Sequence, residues 1–426
     1  MAMSQDGCKK ENFNEVLEIA SMAGHIMLEN GAEIARVEET MERISAHWGV
    51  TSRNFFVLSN GIFTTGDQSS EGGGKDHFAN VEFIPIKGTQ MDKIVETNRL
   101  SRDIEAGGCD IATARLRLSE IRAMKPKPAW EQILGSAVGS SAFCAIFGGG
   151  FAECLACLLI GAVLWMSVLW LTPGFSKILG NIINGALAAA MCFLCYMAFP
   201  QMSTGNMIVG ALIPLIPGVA FTNGIRDIAN EDYIAGVTRL MDALMVFFSI
   251  AMGACLVFVL YGRLSGADIM LHGAFTSPQT DRLLIQFLAG LAGTTAFAVL
   301  FGTPRREYLT SGLVGALGWG IYYVLVKYAR LSALESTFLA SVSIAFMARN
   351  AAKIRKCPIT VFLICGLFPL IPGGGIFWTI YSLVSRQFPQ ALDYGFVSLS
   401  AAVAIVLAIV VVTGLPKKLF KPRRAS

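Results

Sequence analysis

The string PLIPG occurs twice in this chain, at 214–218 and at 369–373, each time inside an apolar stretch. Proline in a helix interior removes a hydrogen-bond donor and clashes with the preceding turn, at a cost of about 3 kcal/mol. Two prolines within one turn therefore predict a broken helix. The glycine that follows allows close backbone approach, and a half-helix beginning there offers free N–H groups to an anion. The binding residues predicted at the two breaks are Pro214, Pro217, Gly218, Pro369, Pro372 and Gly373.

The residues after the two strings differ in their chemistry. The first copy continues as VAFTNGIRD, which is rich in hydrogen-bonding groups, and the second continues as GGIFWTIYS, which is rich in glycine and aromatic residues. We expect Thr222, Asn223, Arg226 and Asp227 to contact a small polar substrate, while the second copy forms a wall. A cytoplasmic loop with its helix cap explains the same four residues equally well, so both interpretations stay open.

Three carboxylates are candidates for coupling transport to protons. An ionisable side chain within a membrane span is costly to bury and is therefore a functional candidate by default. Asp242, Glu153 and Glu335 meet that description. Arg239 precedes Asp242 by three residues, and this spacing predicts a structural ion pair on one helix face.

The composition predicts the elements that carry these residues. The chain is 54% hydrophobic and only 15% charged, and its mean hydropathy of +0.57 is typical of a polytopic membrane protein rather than a soluble domain pair. Between Glu131 and Arg226 the only charged residues are Glu153 and Lys177, whereas acids and bases alternate throughout the stretch before Pro128. A soluble N-terminal domain is therefore expected before the membrane domain.

Ten apolar stretches approach the ~20 residues that a membrane-spanning helix needs. They lie near 133–150, 154–171, 178–199, 207–225, 234–260, 284–301, 309–326, 333–347, 359–382 and 396–412. Lysine and arginine concentrate in the loops that would be cytoplasmic if both chain ends were inside. The PLIPG strings fall in the fourth span of each set of five, and because five is odd, the second set must be inverted. This arrangement is typical of secondary transporters, whose sites form where broken helices of the two halves meet.

The predicted organisation has five parts: a cytoplasmic α+β domain (1–128), a first five-helix repeat (129–262), a linker (263–282), a second five-helix repeat (283–416) and a basic cytoplasmic tail (417–426). In the first domain, apolar residues at helical spacing predict two helices around an Asn30-Gly31 break, the second stopped at Gly49. Asn60-Gly61 predicts a hairpin, and further helices are expected near 91–104 and 111–124.

Several other chemistries find little support in the sequence. The histidines are scattered, and the two C-x-x-C pairs lie in apolar runs, where cysteine behaves as a small hydrophobe. SSEGGGKDHF lacks the first glycine and the hydroxyl residue of a phosphate-binding loop, so a solvated hairpin loop is expected. The net charge of +4 comes from bases near membrane boundaries, not from a nucleic-acid-binding face. We therefore predict no enzymatic activity, no metal, no cofactor and no nucleic-acid partner.

Three segments carry a resemblance to a known family: ENGAEIARVEETMERI, PGVAFTNGIRDIANEDYIAGVTRLMDAL and FLICGLFPLIPGGG. Together they resemble the threonine/serine exporters over nearly the whole chain. The motif residues carried over are Pro217, Gly218, Asn223, Gly224, Arg226, Asp227, Asp232, Gly236, Arg239 and Asp242, with Gly31, Glu33, Arg36 and Glu38 in the N-terminal domain. For those last four, a helix-turn-helix with surface or interhelical ion pairs is the favoured interpretation.

The resemblance implies a ten-span transporter of the bacterial inner membrane that exports small amino acids, driven by the proton gradient. Both chain ends would lie in the cytoplasm. Related two-subunit members are associated with succinate export, so a dicarboxylate is the alternative substrate. The expected partners are the small-molecule substrate and membrane lipid, and a homo-oligomer is left open. An intramembrane enzyme or a signalling sensor is disfavoured, since the sequence offers neither a nucleophile–base constellation nor an output motif.

Overall fold

The computed structural model describes residues 5–50, 53–69, 75–86, 88–265 and 282–415. Most of the predicted linker, the predicted basic tail and the glycine-rich loop at 70–74 lie outside these described residues. The described chain is mostly helical and forms two compact units. One unit comprises Met1–Pro126 together with Val219–Leu240, and the other comprises Lys127–Gly218 together with Met241–Ser426.

The first unit combines helices with a small antiparallel sheet. Its elements are α1 (Gln5–Glu29), α2 (Ile34–His47), β1 (Arg53–Leu58), β2 (Gly61–Ser69), β3 (Lys75–Phe83), α3 (Met91–Glu105) and α4 (Ile111–Ala123). To these it adds most of α9 (Gly218–Ala229) and the start of α10 (Tyr233–Ser265). The predicted hairpin is confirmed, since Leu58 pairs with Gly61 across a two-residue turn.

The turn between α1 and α2 forms where Asn30-Gly31 interrupts the helical pattern. Gly31 has a φ of +84°, a left-handed conformation that favours glycine because it has no Cβ. The N–H groups of Gly31 and Ala32 donate to the carbonyl oxygens of Leu28 and Met27, each at 3.0 Å. These bonds satisfy the last carbonyls of α1. The chain therefore reverses direction with Ala32 and Glu33 held in buried positions.

The second unit contains the other helices. They are α5 (Ala129–Ile146), α6 (Phe151–Met166), α7 (Lys177–Ala198), α8 (Thr204–Leu212), the rest of α10, α11 (Leu283–Leu300), α12 (Tyr308–Lys327), α13 (Ala333–Arg355), α14 (Ile359–Leu367), α15 (Gly373–Val384) and α16 (Phe388–Gly414). Within the described residues, six helices are long and apolar enough to cross a membrane, or up to eight spans if each of two bent helix pairs counts as one. These findings define a polytopic helical membrane protein. Helices α5 and α13 fall outside that count, so ten spans stay a prediction.

The two bent pairs lie at the PLIPG strings, so the predicted breaks are confirmed. After α8, a single 3₁₀ turn at Ile213–Leu215 leads to the start of α9 at Gly218. After α14, an equivalent turn at Phe368–Leu370 leads to the start of α15 at Gly373, with a bend of 45°. Both half-helices thus begin at the glycine of the string, where proline has stopped the preceding helix.

Candidate functional site: two helix breaks and a buried charge cluster

The two breaks pack directly against each other within the second unit. A Cβ added at Gly218 would lie 2.5 Å from Cε2 of Phe368, just before the second string. A Cβ added at Gly373 would collide with Cδ1 of Ile216, in the first string. Each glycine is therefore needed because a side chain of the other copy occupies the space a Cβ would take.

An aromatic cluster supports the contact at Gly218. The ring of Phe368 stacks on that of Phe297 with centroids 3.7 Å apart, and it meets Phe143 edge-on at 5.6 Å. Phe143 and Phe297 are almost fully buried. Because stacked rings in a dense core have little freedom to move, the ring of Phe368 leaves room for a glycine but not for a larger residue at position 218.

The polar residues predicted after the first break all lie on α9 and are all buried. Thr222 and Asn223 are 1% exposed, Arg226 is 5% exposed and Asp227 is fully buried. Arg226 Nη2 pairs with Glu33 Oε2 at 2.5 Å, and Asp227 Oδ2 pairs with Arg239 Nη1 at 2.9 Å. We call Glu33, Asn223, Arg226, Asp227 and Arg239 the charge cluster; it lies within the first unit.

A close approach of α9 and α10 brings the cluster together. A Cβ added at Gly236 would lie 2.8 Å from the carbonyl oxygen of Gly224, and one at Gly224 would lie 3.0 Å from that of Gly236. Asp227 and Arg239 each follow one of these glycines by three residues, which is nearly one helical turn. The glycine contact therefore sets the two helices at the distance where the carboxylate and the guanidinium meet.

The α1–α2 turn, residues 30–34, supplies further contacts of the cluster. Asn223 Nδ2 donates to the carbonyl oxygen of Gly31 at 2.6 Å, and Arg239 Nη2 donates to that of Ala32 at 2.8 Å. The N–H of Ile34 donates to Asp227 Oδ1 at 3.2 Å. Every member of the charge cluster is thus either part of the turn or bonded to it.

Some hydrogen-bonding capacity of the cluster is unmet. Asn223 Oδ1, Arg226 Nη1 and Arg239 Nε have no hydrogen-bond partner among the residues that the structure describes. Buried polar atoms are normally paired, because an unpaired one costs roughly 1–3 kcal/mol. Two guanidinium groups face two carboxylates, so the charges of the cluster balance. The unmet atoms of the cluster thus include an acceptor, on Asn223, and N–H donors, on Arg226 and Arg239.

The predicted pairing of Arg239 with Asp242 is wrong. Arg239 pairs instead with Asp227, while both carboxylate oxygens of Asp242 accept from Lys177 Nζ, at 2.6 and 2.7 Å. The side chains of Asp242 and Lys177 are 51% and 60% exposed on the protein surface. Arg239 is 4% exposed and bonds to a buried carboxylate, whereas Asp242 lies at the surface, so the i,i+3 spacing does not bring the two side chains into a pair.

The other two carboxylates predicted for proton coupling hold backbone groups. Glu153 lies in the first turn of α6 and accepts from the N–H of Ser203 at 3.0 Å. Glu335 is exposed at the start of α13, where it forms a capping box with Ser332. The capping box of Glu335 is local, whereas Glu153 holds a backbone group 50 residues away. All three carboxylates stay predicted candidates for proton coupling.

Two acids near the cluster, outside the candidate spans, have perturbed ionisation. Burial raises the pKa of Asp232 above its ordinary value, although the nearby positive charge of Arg239 opposes the shift. Burial also raises the pKa of Glu38, opposed by the N–H of Val57, which donates to Glu38 Oε1 at 3.4 Å. The negative charge of Asp232 adds to the upward shift of Glu38.

The second break lines a cavity instead of a charge cluster. This cavity, of about 440 Å³, is bordered by the string from Pro369 to Pro372, by Gly374 and Gly375, and by Trp319 and Ser398. Counted from the shared glycine, Trp378, Tyr381 and Ser382 occupy the positions of Asn223, Arg226 and Asp227. All three are buried. Two aromatic rings and a hydroxyl thus occupy the positions at which the first copy carries an amide and two charges.

The favoured interpretation of Glu33, a surface or interhelical ion pair, is confirmed in its interhelical form. Glu33, at the start of α2, is buried and pairs with Arg226 of α9, 193 positions along the chain; the sequence did not identify this partner. One signal was available: Glu33 lies between Ala32 and Ile34 directly after a glycine turn, where an isolated acid needs a buried partner. In the part of the chain that the structure describes, no group of three or more histidine, cysteine or acidic side chains could hold a metal ion.

The fold and these breaks are those of a multi-pass helical membrane protein, and the family that it matches consists of exporters. Two family models match it, "Putative threonine/serine exporter" over residues 18–261 and "Threonine/Serine exporter, ThrE" over residues 286–415. The chain belongs to the threonine/serine exporter family.

Curated relatives are similar at low identity. A "Probable threonine/serine exporter" of Mycobacterium tuberculosis is 22% identical over 93% of this chain and 74% of the relative. The "Threonine/serine exporter" of Corynebacterium glutamicum is 20% identical over 96% of this chain and 84% of the relative. A "Pheromone-regulated membrane protein 10" of Yarrowia lipolytica is 21% identical over 54% of this chain and 19% of the relative. No solved structure matches the chain.

Proposed function

We propose that this protein is a secondary active exporter of threonine, serine or similar small amino acids across the cytoplasmic membrane, coupled to protons. The observation that carries the proposal is the buried, charge-balanced cluster on the half-helix after the first break. Membership of the threonine/serine exporter family, and the names of the two bacterial relatives, support the same substrate class.

The charge balance favours a zwitterion over a dicarboxylate. An amino acid brings one carboxylate and one ammonium group, which match a guanidinium and a carboxylate through charge-assisted hydrogen bonds. Each of its two charged groups can then meet an opposite charge, at Arg226 or at Asp227. Succinate brings two negative charges, and burying an uncompensated charge is expensive. We therefore place the carboxylate of the substrate at Arg226 and its ammonium at Asp227, with Asn223 and Thr222 beside them.

The proposed architecture has ten spans arranged as two inverted five-helix repeats, behind a cytoplasmic α+β domain and with both chain ends in the cytoplasm. The reciprocal contact between the two PLIPG breaks supports it, because inverted-repeat transporters bring matching broken helices together near the membrane midplane. The proposed domain limits remain those derived from the sequence.

Asp242 is the proposed coupling carboxylate. It lies on a candidate span, three residues after Arg239, and it is paired with a lysine. Protonation of Asp242 would release Lys177, and this exchange offers a proton a route to alter the packing of α7 and α10. Glu153 and Glu335 remain second choices because each already holds a backbone group.

Efflux from proteoliposomes tests the proposed function. Purified protein is reconstituted with labelled L-serine, L-threonine or succinate inside, and an inward proton gradient is imposed. We expect serine or threonine to leave faster than from protein-free liposomes, and the gradient to accelerate efflux. Succinate efflux without amino-acid efflux would favour the alternative substrate class. If none of the three substrates moves, the proposed function is wrong.

A further inference from the structure

The contacts of the charge cluster reach beyond α9 and α10 to one short turn. Within four consecutive residues, the α1–α2 turn presents a carboxylate (Glu33), two carbonyl oxygens (Gly31 and Ala32) and an N–H group (Ile34). These groups meet Arg226, Asn223, Arg239 and Asp227 respectively. The first unit thus offers a compact set of donors and acceptors to the residues proposed to bind substrate.

The groups of the turn occupy the positions expected for the groups of an amino acid. The carboxylate of Glu33 lies on Arg226, where the substrate carboxylate is proposed to bind. The N–H of Ile34 donates to Asp227, where the substrate ammonium is proposed to bind. The turn therefore satisfies the two charged partners of a zwitterion with a carboxylate and a nitrogen donor of the chain itself.

We propose that the α1–α2 turn is a tethered occupant of the substrate site, which must leave before a cytoplasmic amino acid binds. This proposal rests on the proposed function and adds a regulatory role for the N-terminal domain. The turn competes with the substrate for Arg226 and Asp227, so the site is closed when the turn is seated. The amino acid opens it by replacing the same interactions.

The energetics allow such an exchange. A buried ion pair contributes little net free energy, because desolvation of both charges offsets most of their attraction. The unpaired atoms Asn223 Oδ1, Arg226 Nη1 and Arg239 Nε show that the turn does not fill the site's hydrogen-bonding capacity. A ligand able to reach one of these atoms gains an interaction that the turn does not make.

The turn also has a local pivot. Gly31 has a positive φ, and the nearest atoms that the structure describes around its missing Cβ, apart from the chain neighbours of Gly31, are a threonine hydroxyl at 3.6 Å and a valine methyl at 3.8 Å. Glycine can adopt several backbone conformations at low cost. Gly31 is therefore the position in the turn where the backbone can change conformation at the lowest cost.

The Glu33→Gln variant of the full chain tests the proposal in proteoliposomes. Glutamine keeps the shape of the side chain but loses the charge that pairs with Arg226. If the turn competes with substrate, its weakening lowers the KM for serine efflux by roughly fivefold, which corresponds to about 1 kcal/mol. The matched control is Glu39→Gln, an exposed acid on the same helix that pairs with Arg36 and Arg43. We expect its KM to match that of the wild type.

A structural role gives a different result. If Glu33 only docks the domain, Glu33→Gln lowers the maximal rate or the amount of folded protein and leaves the KM unchanged or raised, and the proposal is overturned. Hydrogen exchange of the unmodified protein provides a readout that needs no variant. Added L-serine should speed exchange in residues 31–38 and leave α3 unchanged. Unchanged or slowed exchange in residues 31–38 contradicts the proposal.

The two proposals fail in distinguishable ways. If wild-type protein transports neither serine nor threonine, the proposed function is wrong and the tethered-occupant proposal is wrong with it. If wild-type protein transports serine, but Glu33→Gln leaves the KM unchanged and serine leaves the exchange unchanged, only the tethered-occupant proposal is wrong.

Discussion

The two PLIPG breaks share a backbone and differ in chemistry. Both stop a helix with proline, restart it at glycine and press that glycine against the other copy. After the first break come buried charges that are paired with one another, and after the second come aromatic rings and a cavity. The PLIPG string therefore determines where the backbone bends, whereas the residues that follow it determine what can bind there.

Removal of the guanidinium at position 226 should have the largest effect on transport. Arg226→Gln leaves Glu33 as a buried charge without its partner, at a cost of about 3–5 kcal/mol, and it removes the proposed carboxylate ligand. We expect serine transport to fall about a hundredfold or more, as a loss of about 3 kcal/mol implies. Tyr381→Phe, at the matching position of the second copy, should retain transport to within roughly twofold, because it loses a single hydroxyl.

A double variant separates binding from folding in this experiment. Glu33→Gln combined with Arg226→Gln removes both charges of the pair, so it should recover most of the thermal stability that Arg226→Gln loses. Transport should stay low because the carboxylate ligand is still missing. Recovery of both stability and transport would mean that Arg226 is structural and that the two breaks do not differ in the way proposed.

Neutralising the proposed coupling residue should have the next largest effect. Asp242→Asn keeps the side-chain size but cannot take up a proton, so we expect stimulation of serine efflux by an imposed pH gradient to disappear. Serine exchange without a gradient should persist, because Asp242 lies outside the charge cluster. Glu335→Gln is the matched comparison and should keep its stimulation. Full stimulation in Asp242→Asn would remove that residue from the coupling role.

Adding a methyl group to each glycine of the breaks should affect the two copies unequally. Gly218→Ala places its Cβ against the stacked ring of Phe368, whereas Gly373→Ala meets the flexible end of Ile216. Overpacking a stiff contact costs about 1–3 kcal/mol. We therefore expect transport to fall roughly tenfold in Gly218→Ala and less in Gly373→Ala. The second variant should recover when Ile216→Val is added.

Equal, unimpaired transport by both glycine variants would contradict the proposal that the breaks form a central site. The strings would then be packing kinks. Equal and severe losses would keep the site but would show that both contacts are equally stiff. The comparison should be made at matched protein levels, with folding checked by thermal unfolding of each purified variant.

The smallest expected effect is on stability, at Glu38 of α2. Burial raises the pKa of Glu38, so its charged form is disfavoured in the folded state. This cost to folding is zero below the ordinary pKa of glutamate and reaches its full size above the raised pKa of the folded state. The ionisation of Glu38 therefore lowers the stability of the protein as the pH rises from the first value to the second. Glu38→Gln removes the cost and can still accept from Val57. We expect its Tm at neutral pH to rise by roughly 1–2 °C, because a small gain in the free energy of unfolding shifts the Tm by about this much.

The same variant has an internal control in its pH dependence. Below the ordinary pKa of glutamate, both proteins carry a neutral group at position 38, so the Tm difference should vanish. A lower Tm for Glu38→Gln at neutral pH would mean that the charge stabilises the fold through its bond to Val57. Thermal unfolding of detergent-purified protein at several pH values measures both quantities.

Local chemistry explains which features the sequence could predict. The breaks at Pro217 and Pro372, the turn at Gly31 and the hairpin at Asn60-Gly61 follow from residues that restrict their own backbone, and the structure has all of them. The choice of ion-pair partners did not follow. The i,i+3 spacing favoured Asp242 as the partner of Arg239. Asp227, a buried residue on another helix, pairs with Arg239 instead, and a rule based on spacing along one helix does not include partners on other helices.

Long-range contacts account for the rest. Glu33 and Arg226 meet only because α1, α2, α9 and α10 assemble in one unit, and no local pattern encodes that assembly. The chemical difference between the two breaks could be predicted in part from the sequence, because the residue types after the two strings differ. The sequence did not indicate that a turn of the N-terminal domain contacts the polar half-helix.

Equilibrium binding of labelled L-serine to the purified full chain tests the central claim most directly. Two matched variants are compared with the wild type: Asp227→Asn in the first copy and Ser382→Ala at the same position of the second. We expect Asp227→Asn to abolish measurable serine binding, because it removes the proposed partner of the ammonium group, and Ser382→Ala to bind serine with the wild-type affinity. Equal serine affinity in both variants, or loss confined to Ser382→Ala, would contradict the assignment of the substrate site to the half-helix after the first break.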